Sequence, residues 1–547
     1  MKRRLLLGVS AVVVVSTLLV PTAMAARKRP PATTPTLTVA TGEAPTRGGS
    51  APASYGYRPL HPDLFDRAKA AANARANVGN RKPKPGGGGG APIITTPANV
   101  SPSFNGNYQT GLAPPDTTGD IGNDRYIQGI NNKYTIYNRS GTQLNTGSMT
   151  DLTSISSTPD SCGFFGGLPA TISDPQIMWD AATQRFYYTA VWYDGFFLSC
   201  AGLAIGFSKT ATPASSADFC KFILSTGAEL PDYPKLGDSA DFLLFGYNKF
   251  SAGASTYDGS EVLTMNKPPA GSTCPSPSVF SLNVFGTGSL ATPVPAHLVD
   301  DSNGTGYVVA NPDLTTTTGN AATTIGVFSV STNGVDGSGH PNPSFTGPTT
   351  VTVNSYHLPS NAPQKGTTAL IDTLDGRFEA AVAAIDPTAG RGIAIWTAHA
   401  VFGSSPGIGA EERWYEINPA GSLYQLGAAT SSTLFIHNGS ISPNRGGGSF
   451  GNSMAMSVST SSSTAYPAIA AVWKNGANAQ SALTTIVQAT GPNVDFSCSP
   501  CRWGDYSGAA PDPLGNGKVW LANQYNLASS DSSGTDWRTR IFALTPA

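Results

Sequence analysis

Runs of alternating apolar and polar residues, each introduced by a turn rich in Asp, Asn or Gly, recur along the chain from about residue 95. In SDPQIMWDAATQRFYYTAVW (173–192), a polar turn leads into residues that alternate between the two faces of a strand. The first strand residues after the turns are Tyr126, Phe186, Phe242, Tyr307, Phe378, Met454 and Val519. This pattern predicts an all-β protein built from repeats.

The repeats follow one another at intervals of 56 to 76 residues. Self-similarity at one period is the sequence signature of propeller blades, which bury their faces only against their neighbours. We therefore predict a single β-propeller over residues 95–547. The count favours seven blades, and the degenerate repeat around Met454 leaves six or eight open. Two β-sandwiches are the alternative, but the single period argues against them.

The first 94 residues have a different composition. Residues 1–25 combine a basic start, an apolar stretch and the ending Ala23-Met24-Ala25, which predicts a signal peptide. Residues 26–94 are rich in Pro and Gly, and we predict a disordered spacer or a pro-segment, with one short helix in HPDLFDRAKAAANARANVGN. We expect the mature protein to be secreted and monomeric, with no membrane insertion after signal cleavage.

Charge narrows the range of functions. Only 12% of the residues are charged, and the formal net charge is −1. The repeat region carries no basic stripe, so the electrostatic attraction that drives nucleic-acid binding is missing. We therefore do not expect DNA or RNA as a partner.

Six cysteines, an even number in an exported chain, are typical of disulfide bonds. Proximity in sequence predicts the pairs Cys162–Cys200, Cys220–Cys274 and Cys498–Cys501. The CSPC spacing of the last pair also occurs in redox motifs, but no thioredoxin-like βαβ pattern surrounds it. We predict that the bonds brace the propeller.

Several segments resemble secreted bacterial β-propeller proteins of the sialidase-like fold group. They are PPDTTGDIG with YIQGINNKYTIYN, SDPQIMWD with RFYYTAVW, FSKTATPAS before DYPKLGDSADFLLFGYN, and RWGDYSGAAPDP with WRTRIF. The resemblance spans roughly residues 100–545 and implies the propeller fold, but members of the group mostly lack an assigned activity. The Arg-Ile-Pro signature of sialidases is absent, and the Asp-box occurs only loosely, with one residue too many, over residues 529–537.

The stretch CRWGDYSGAAPDP concentrates candidate chemistry near the end of the chain. Arg502, Asp505 and Tyr506 are candidates for a catalytic site, and Glu416 and Arg377 are candidates for a further carboxylate and guanidinium. The alternative, which we favour, is that this stretch holds the last blade against the first.

Asp116 and Asp120 offer hard oxygen ligands for a structural Ca²⁺. The alternative is an Asx-turn that leads into the first strand. Neither aspartate matches the spacing of an EF-hand loop. We expect no cofactor to be required.

Aromatic residues surround a Gly-rich loop beside two of the cysteines, and the candidates for a binding patch are Phe164, Phe165, Trp192 and Tyr193. Exposed aromatics on a loop would bind a sugar or a protein, whereas buried ones would pack blade on blade. The favoured hypothesis is a secreted propeller that binds an extracellular glycan or protein surface. The alternatives are a sialidase-like glycoside hydrolase acting on extracellular polysaccharide and a purely structural surface protein.

Overall fold

Seven β-sheets follow one another along the chain, and each forms one blade of a β-propeller. Strands make up 55% of the chain and helices 7%, so the prediction of an all-β, seven-bladed propeller is confirmed. The computed structural model describes residues 35–40, 53–54, 58–86, 90–108, 111–159, 167–194, 200–251, 253, 256–271, 273–299, 304–446, 449–527 and 534–547.

The first strand of each blade lies innermost, and the following strands pair with it outwards. Blades 1 and 2 consist of Thr118–Ile121, Arg125–Ile130, Lys133–Asn138 and Gln143–Ser148, then Ala170–Asp180, Arg185–Asp194, Ala201–Ser208 and Phe219–Gly227. Blades 3 and 4 consist of Leu230–Asp238, Phe242–Phe250, Tyr257–Asn266 and Leu282–Gly286, then Leu290–Pro295, Gly306–Pro312, Ala321–Val335 and Pro341–His357. Blades 5 and 6 consist of Ala380–Ile385, Ile393–Val401, Glu411–Asn418 and Ser422–Ala429, then Phe435–Gly446, Ser449–Ser462, Ala465–Lys474 and Thr484–Gln488. Blade 7 consists of Gly508–Pro511, Val519–Asn526, Trp537–Leu544 and Val100–Tyr108.

Short strands extend three of the blades. Thr36–Val39 joins blade 2, His297–Leu298 joins the inner side of blade 5, and Ile93–Ile94 joins blade 6. Ala53–Ser54 pairs in parallel with Leu112–Ala113. Within the described residues, the structure contains the α-helices Pro62–Arg75 and Met149–Thr153 and the 3₁₀ turns Val78–Asn80, Ser216–Asp218, Pro277–Val279 and Thr318–Asn320. Across the part of the chain that the structure describes, no helix is long and apolar enough to cross a membrane.

Six of the seven repeat positions chosen from the sequence fall in the second strand of a blade, and the fifth does not. Phe378 lies just before the innermost strand of blade 5, whose second strand begins at Ile393. The acidic turn chosen there, LIDTLDG at residues 370–376, precedes the innermost strand, whereas the turn between the first two strands of blade 5 lies at residues 386–392.

The asparagine that ends the repeated Val-Ala-Asn and Leu-Ala-Asn sequences binds a neighbouring blade. Asn523 Nδ2 in blade 7 donates to the Asn438 carbonyl of blade 6 at 3.0 Å, and Asn311 donates to the segment that leads into blade 5. Asn131 in blade 1 accepts a hydrogen bond from the Asp174 N–H of blade 2 at 2.8 Å. A buried amide must be hydrogen-bonded, so these three asparagines fasten one blade to the next.

The ring closes through a strand from the beginning of the propeller. Val100–Tyr108 pairs antiparallel with Trp537–Leu544, so the outer strand of blade 7 precedes blade 1 in the chain. Within this strand the Asn107 N–H donates to Gln128 Oε1 of blade 1 at 2.8 Å. Its carbonyl accepts from Thr539 Oγ1 of blade 7 at 3.1 Å. The closing strand therefore binds the first and the last blade at once.

Two of the predicted disulfide bonds are confirmed. Cys220 is bonded to Cys274, and Cys498 is bonded to Cys501. The first bond joins the outer strand of blade 2 to the loop between the third and fourth strands of blade 3. Cys162 lies outside the described residues, so the pair Cys162–Cys200 stays a prediction.

Residues 58–86, which fall in the segment predicted as a spacer or a pro-segment, lie on the propeller, and we call them the strap. Its helix begins at Pro62, whose missing N–H costs nothing at a helix start, and continues through alanine-rich turns. Ala68 and Ala72 are buried against side chains of blades 4 and 5. Arg58 reaches blade 3, and the Lys84 N–H donates to a carbonyl of blade 6 at 2.8 Å.

The closing strand should tolerate no side chain at Gly106. A Cβ there would overlap Thr539 Oγ1 and Gln128 Oε1, which are both buried, whereas a Cβ at Gly286 in the outer strand of blade 3 would meet no atom. We expect Gly106→Ala to lower the free energy of unfolding by about 1–3 kcal/mol, the usual cost of overpacking. Gly286→Ala should change it by less than about 0.5 kcal/mol. Chemical denaturation measures both, and equal stability of the two variants would contradict this account of the closure.

Candidate functional site

Four of the residues predicted from the sequence lie together at one end of the central channel of the propeller. We call this end the mouth. Arg502, Asp505 and Tyr506 occupy the segment that leads into the innermost strand of blade 7. Arg377 occupies the equivalent segment of blade 5, and its charge acts on Asp505. The left-handed φ of 138° at Gly504 turns the chain between Arg502 and Asp505. Because the innermost strands of a propeller converge, the segments that precede them meet at one mouth.

Arg502 is the centre of a buried ion-pair group. Its Nη1 lies 2.7 Å from Asp372 Oδ2, and its Nη2 lies 2.5 Å from Asp505 Oδ1. Burial opposes the charge of the guanidinium, but the two aspartates outweigh burial and raise the pKa of Arg502. The guanidinium is therefore already bound by two carboxylates of its own chain.

Two stacked tyrosines form the next layer of the mouth. The rings of Tyr233 and Tyr506 lie 4.8 Å apart at an angle of 25°. Lys235 Nζ lies 4.2 Å from the Tyr233 centroid and 3.8 Å from that of Tyr506, and Arg377 covers Tyr233 at 4.5 Å. These contacts are cation–π interactions. Burial lowers the pKa of Lys235 to about 7, although the nearby Glu379 acts in the opposite direction.

Carboxyl groups with raised pKa values surround this layer. Asp116 accepts hydrogen bonds from the Asp505 N–H at 2.7 Å and from Asn131 Nδ2 at 2.5 Å. Asp174 Oδ2 accepts a hydrogen bond from the Tyr506 hydroxyl at 2.9 Å. Burial raises the pKa of both aspartates, that of Asp174 to about 7, and neighbouring carboxylates add to the rise. A cluster of perturbed pKa values at a cleft marks a candidate functional site.

The two aspartates predicted to bind calcium are held by N–H donors. Both oxygens of Asp116 accept hydrogen bonds, and Asp120 accepts from the N–H groups of Ile121 and Trp179 at 2.6 and 2.7 Å. In the described ranges, no group of three or more His, Cys, Asp or Glu residues is placed to hold a metal ion. A structural Ca²⁺ at these residues stays a prediction.

Glu416, the fifth catalytic candidate, belongs to a separate ion-pair group in blade 5. Its Oε2 lies 3.0 Å from Arg391 Nη1 and accepts from Gln425 Nε2 at 2.6 Å. Burial raises the pKa of Glu416 to about 8, and the neighbouring Asp386 adds to the rise. The structure therefore does not bring Glu416 to the Arg502 group.

The predicted aromatic patch falls partly inside the blades. Trp192 is fully buried, and its indole N–H donates to the Leu224 carbonyl at 3.2 Å. For Trp192 the second of the two alternatives therefore holds, because it packs in a hydrophobic cluster that contains residues of both blade 1 and blade 2. Tyr193 is partly buried and faces the mouth, where the guanidinium of Arg58 lies over its ring. Phe164 and Phe165 lie outside the described residues.

A pocket of about 490 Å³ opens beside the Arg502 group, between the strap helix and residues 497–502. Asp372 and Arg502 line it on the propeller side, so the pocket reaches the ion pair. From the strap it is lined by Pro59, Phe65, Asp66, Lys69, Ala70 and Asn73. A second pocket, lined by innermost-strand residues below the mouth, holds about 60 Å³, the space of a few water molecules. The pocket is therefore the larger of these two spaces by far, and it suits a small ligand.

Sequence reasoning missed the strap side of this pocket and the role of Asp372. The strap residues on this side form an alanine-rich helix, and its sequence does not predict which part of the propeller it packs against. Asp372 had a usable signal, because LIDTLDG is the acidic turn of the fifth repeat and corresponds to the turn that contains Asp505. Lys69 is buried, with 5% exposure, and donates to Pro359 O and Thr373 Oγ1 at 3.0 and 2.9 Å. No local sequence pattern predicts these two hydrogen bonds.

No protein-family model matches the chain, and no curated protein matches it. Among solved structures, the extracellular domains 1–2 of Drosophila semaphorin 1b are 7% identical with a TM-score of 0.35, covering 82% of this chain and 88% of that chain. The phage phi92 endosialidase is 7% identical with a TM-score of 0.39, covering 82% and 69%. An exo-β-1,3-galactanase from Phanerochaete chrysosporium with galactose is 10% identical with a TM-score of 0.27, covering 83% and 100%. At these values the fold assignment rests on the sheet topology, and no activity follows.

Arg502 should be a major source of stability. In Arg502→Ala the carboxylates of Asp372 and Asp505 stay buried without their partner, so we expect a loss of about 3–5 kcal/mol in the free energy of unfolding. Arg67→Ala, which removes an exposed arginine from the strap helix, should cost less than about 0.5 kcal/mol. Urea denaturation of both variants measures the difference. Unchanged stability of Arg502→Ala would contradict a structural role for this ion-pair group.

Asp174 should make the protein less stable as the pH rises. Its folded-state pKa of about 7 lies above the ordinary value, so its favourable contribution is complete below about pH 4 and is lost as the pH rises through 7. Asp174→Asn keeps an acceptor for Tyr506 and suits the left-handed φ of 55°. We expect the variant to gain stability relative to wild type between pH 4 and pH 8 in thermal unfolding. A difference that is constant over this range would contradict the raised pKa.

Proposed function

We propose that this protein is a secreted propeller that binds a glycan in the pocket between the strap helix and residues 497–502. The observation that carries the proposal is the pocket itself, which combines about 490 Å³ of space with one aromatic side chain and several hydrogen-bonding groups. Ligand pockets commonly have volumes of roughly 300–1,000 Å³. The pocket would therefore admit one or two sugar rings.

The lining suits the chemistry of a sugar. Phe65 supplies an aromatic surface for the C–H face of a ring, and Pro500 supplies a second apolar wall. Asp66, Asn73 and Ser497 supply acceptors and donors for hydroxyl groups. Asn73 Oδ1 accepts from the Asn361 N–H at 2.8 Å, which fixes the orientation of its amide.

Binding is favoured over hydrolysis because the arginines at the mouth are engaged by their own chain. Arg377 makes two hydrogen bonds of 2.8 Å to Asp375, and Arg502 is paired with Asp372 and Asp505. A sialidase-like enzyme uses an arginine cluster to hold a substrate carboxylate. The raised pKa of Asp174 is the observation that favours the second candidate, a glycoside hydrolase with a protonated carboxyl at the mouth.

Export forms part of the proposal. The predicted signal peptide would direct the chain out of the cytoplasm, and the Cys220–Cys274 bond suits an oxidising compartment. In such a setting the ligand would be an extracellular polysaccharide or the glycan of a neighbouring cell surface.

A glycan array followed by calorimetry on the best ligand tests the proposal. Asp66→Asn should weaken binding by about fivefold or more, because a hydrogen bond to a charged acceptor is lost. Asp63→Asn is the matched control: it changes another exposed carboxyl on the same helix, outside the pocket, and should leave affinity within about twofold. Equal effects of the two substitutions, or no bound glycan, would contradict the proposal.

A panel of chromogenic glycosides run beside the array separates binding from hydrolysis. We expect no turnover. Turnover that is lost in Asp174→Asn but kept in Asp63→Asn would replace the binding proposal with the hydrolase.

A further inference from the structure

A second recess lies at the mouth, between blades 2 and 3, apart from the glycan pocket. Asp232, in the innermost strand of blade 3, and Asp174, in that of blade 2, supply two carboxyl groups. Tyr193, at the end of the second strand of blade 2, supplies an aromatic ring. The charges of both aspartates act on the Tyr193 hydroxyl, so the three side chains face a common space.

The strap fills this recess with an arginine. Arg58 Nη1 lies 2.9 Å from Asp232 Oδ1, and the guanidinium carbon lies 5.7 Å from the centroid of Tyr193. The charge of Asp174 also acts on Arg58. A carboxylate in the plane of a guanidinium and an aromatic ring over its face are the two contacts that proteins use to recognise arginine.

The recess can be reached from solvent. The Arg58 side chain is 25% exposed, and that of Asp232 is 9% exposed. A partly exposed guanidinium can be exchanged for another one without opening the propeller. With the recess empty, Asp174 and Asp232 would repel each other. Burial is the largest cause of the raised pKa of Asp174, and the charge of Asp232 is the second largest.

A second basic side chain of the strap enters the propeller in the same way. Lys69 donates to the carbonyls of Pro359 and Leu374 and to Thr373 Oγ1, close to two further aspartates. The strap therefore binds the mouth as a basic peptide ligand would, with one guanidinium and one ammonium group.

We propose that the recess formed by Asp174, Asp232 and Tyr193 is a binding site for the arginine side chain of a polypeptide, and that Arg58 is its tethered intramolecular ligand. The site stands on contacts that the glycan pocket does not share, so failure of the glycan proposal would leave the argument for it unchanged. Because Arg58 is attached to the same chain, its effective concentration is of millimolar order, and it outcompetes weak ligands until the strap is displaced.

Chemical rescue of an Arg58→Ala variant of the full chain tests the site. The probe is N-acetyl-arginine amide, and the comparison compounds are the citrulline analogue, which has nearly the same shape without the charge, and the lysine analogue. Thermal unfolding is followed at constant ionic strength. We expect the arginine compound to stabilise Arg58→Ala at a concentration about tenfold lower than the citrulline compound does.

Wild type and Arg67→Ala are the controls, because both keep Arg58 in the recess. We expect neither to respond selectively to the arginine compound, and we expect Asp232→Asn to abolish the response when it is combined with Arg58→Ala. Should Arg58→Ala fail to fold, Arg58→Gln keeps most of the side-chain stem and serves in its place.

Three results would overturn the proposal. One is an equal response of wild type and Arg58→Ala to the arginine compound. Another is stabilisation by citrulline at the same concentration as by arginine. The third is an equal effect of the lysine compound, which would show a general cation effect rather than guanidinium recognition.

Discussion

The whole ring depends on one strand pairing, that of Val100–Tyr108 with Trp537–Leu544. Blades bury their faces only against their neighbours, so an open ring would expose the facing sides of the first and last blades. Asn107 binds Gln128 in blade 1 and Thr539 in blade 7, and so it holds the two faces that would otherwise part. The stretch CRWGDYSGAAPDP, for which we expected this role, also binds the first blade, because the Asp505 N–H donates to Asp116 and Asp512 is paired with Arg139.

Closure also determines the chemistry of the mouth. Once the ring is closed, the segments that lead into the innermost strands crowd together, and their polar side chains lose contact with water. Arg502 and Arg377 are then stable only with carboxylate partners, which Asp372, Asp505 and Asp375 provide. The resulting group is well paired, and so the space that remains for a ligand lies beside it, under the strap.

The sequence was most informative where structure is local. Blade number follows from the period of the acidic turns, and two disulfide pairs follow from proximity along the chain. It was least informative where partners are distant: the closing strand lies over 400 positions from the strand that it pairs with. The same holds for Lys69, which lies 304 positions from Thr373. Such contacts depend on how the ring closes, and no periodicity in one segment encodes the surface of another.

The strap makes the two proposed sites interdependent. Its helix supplies Phe65 and Asp66 to the glycan pocket, while Arg58, at its beginning, fills the arginine recess. A ligand that displaced Arg58 would remove one anchor of the strap, and the three hydrogen bonds of Lys69 would then hold the helix in place. If those bonds held, both ligands could be bound together. If they yielded, the pocket would lose a wall, and an arginine-bearing partner would release the glycan, since coupling between two sites is reciprocal.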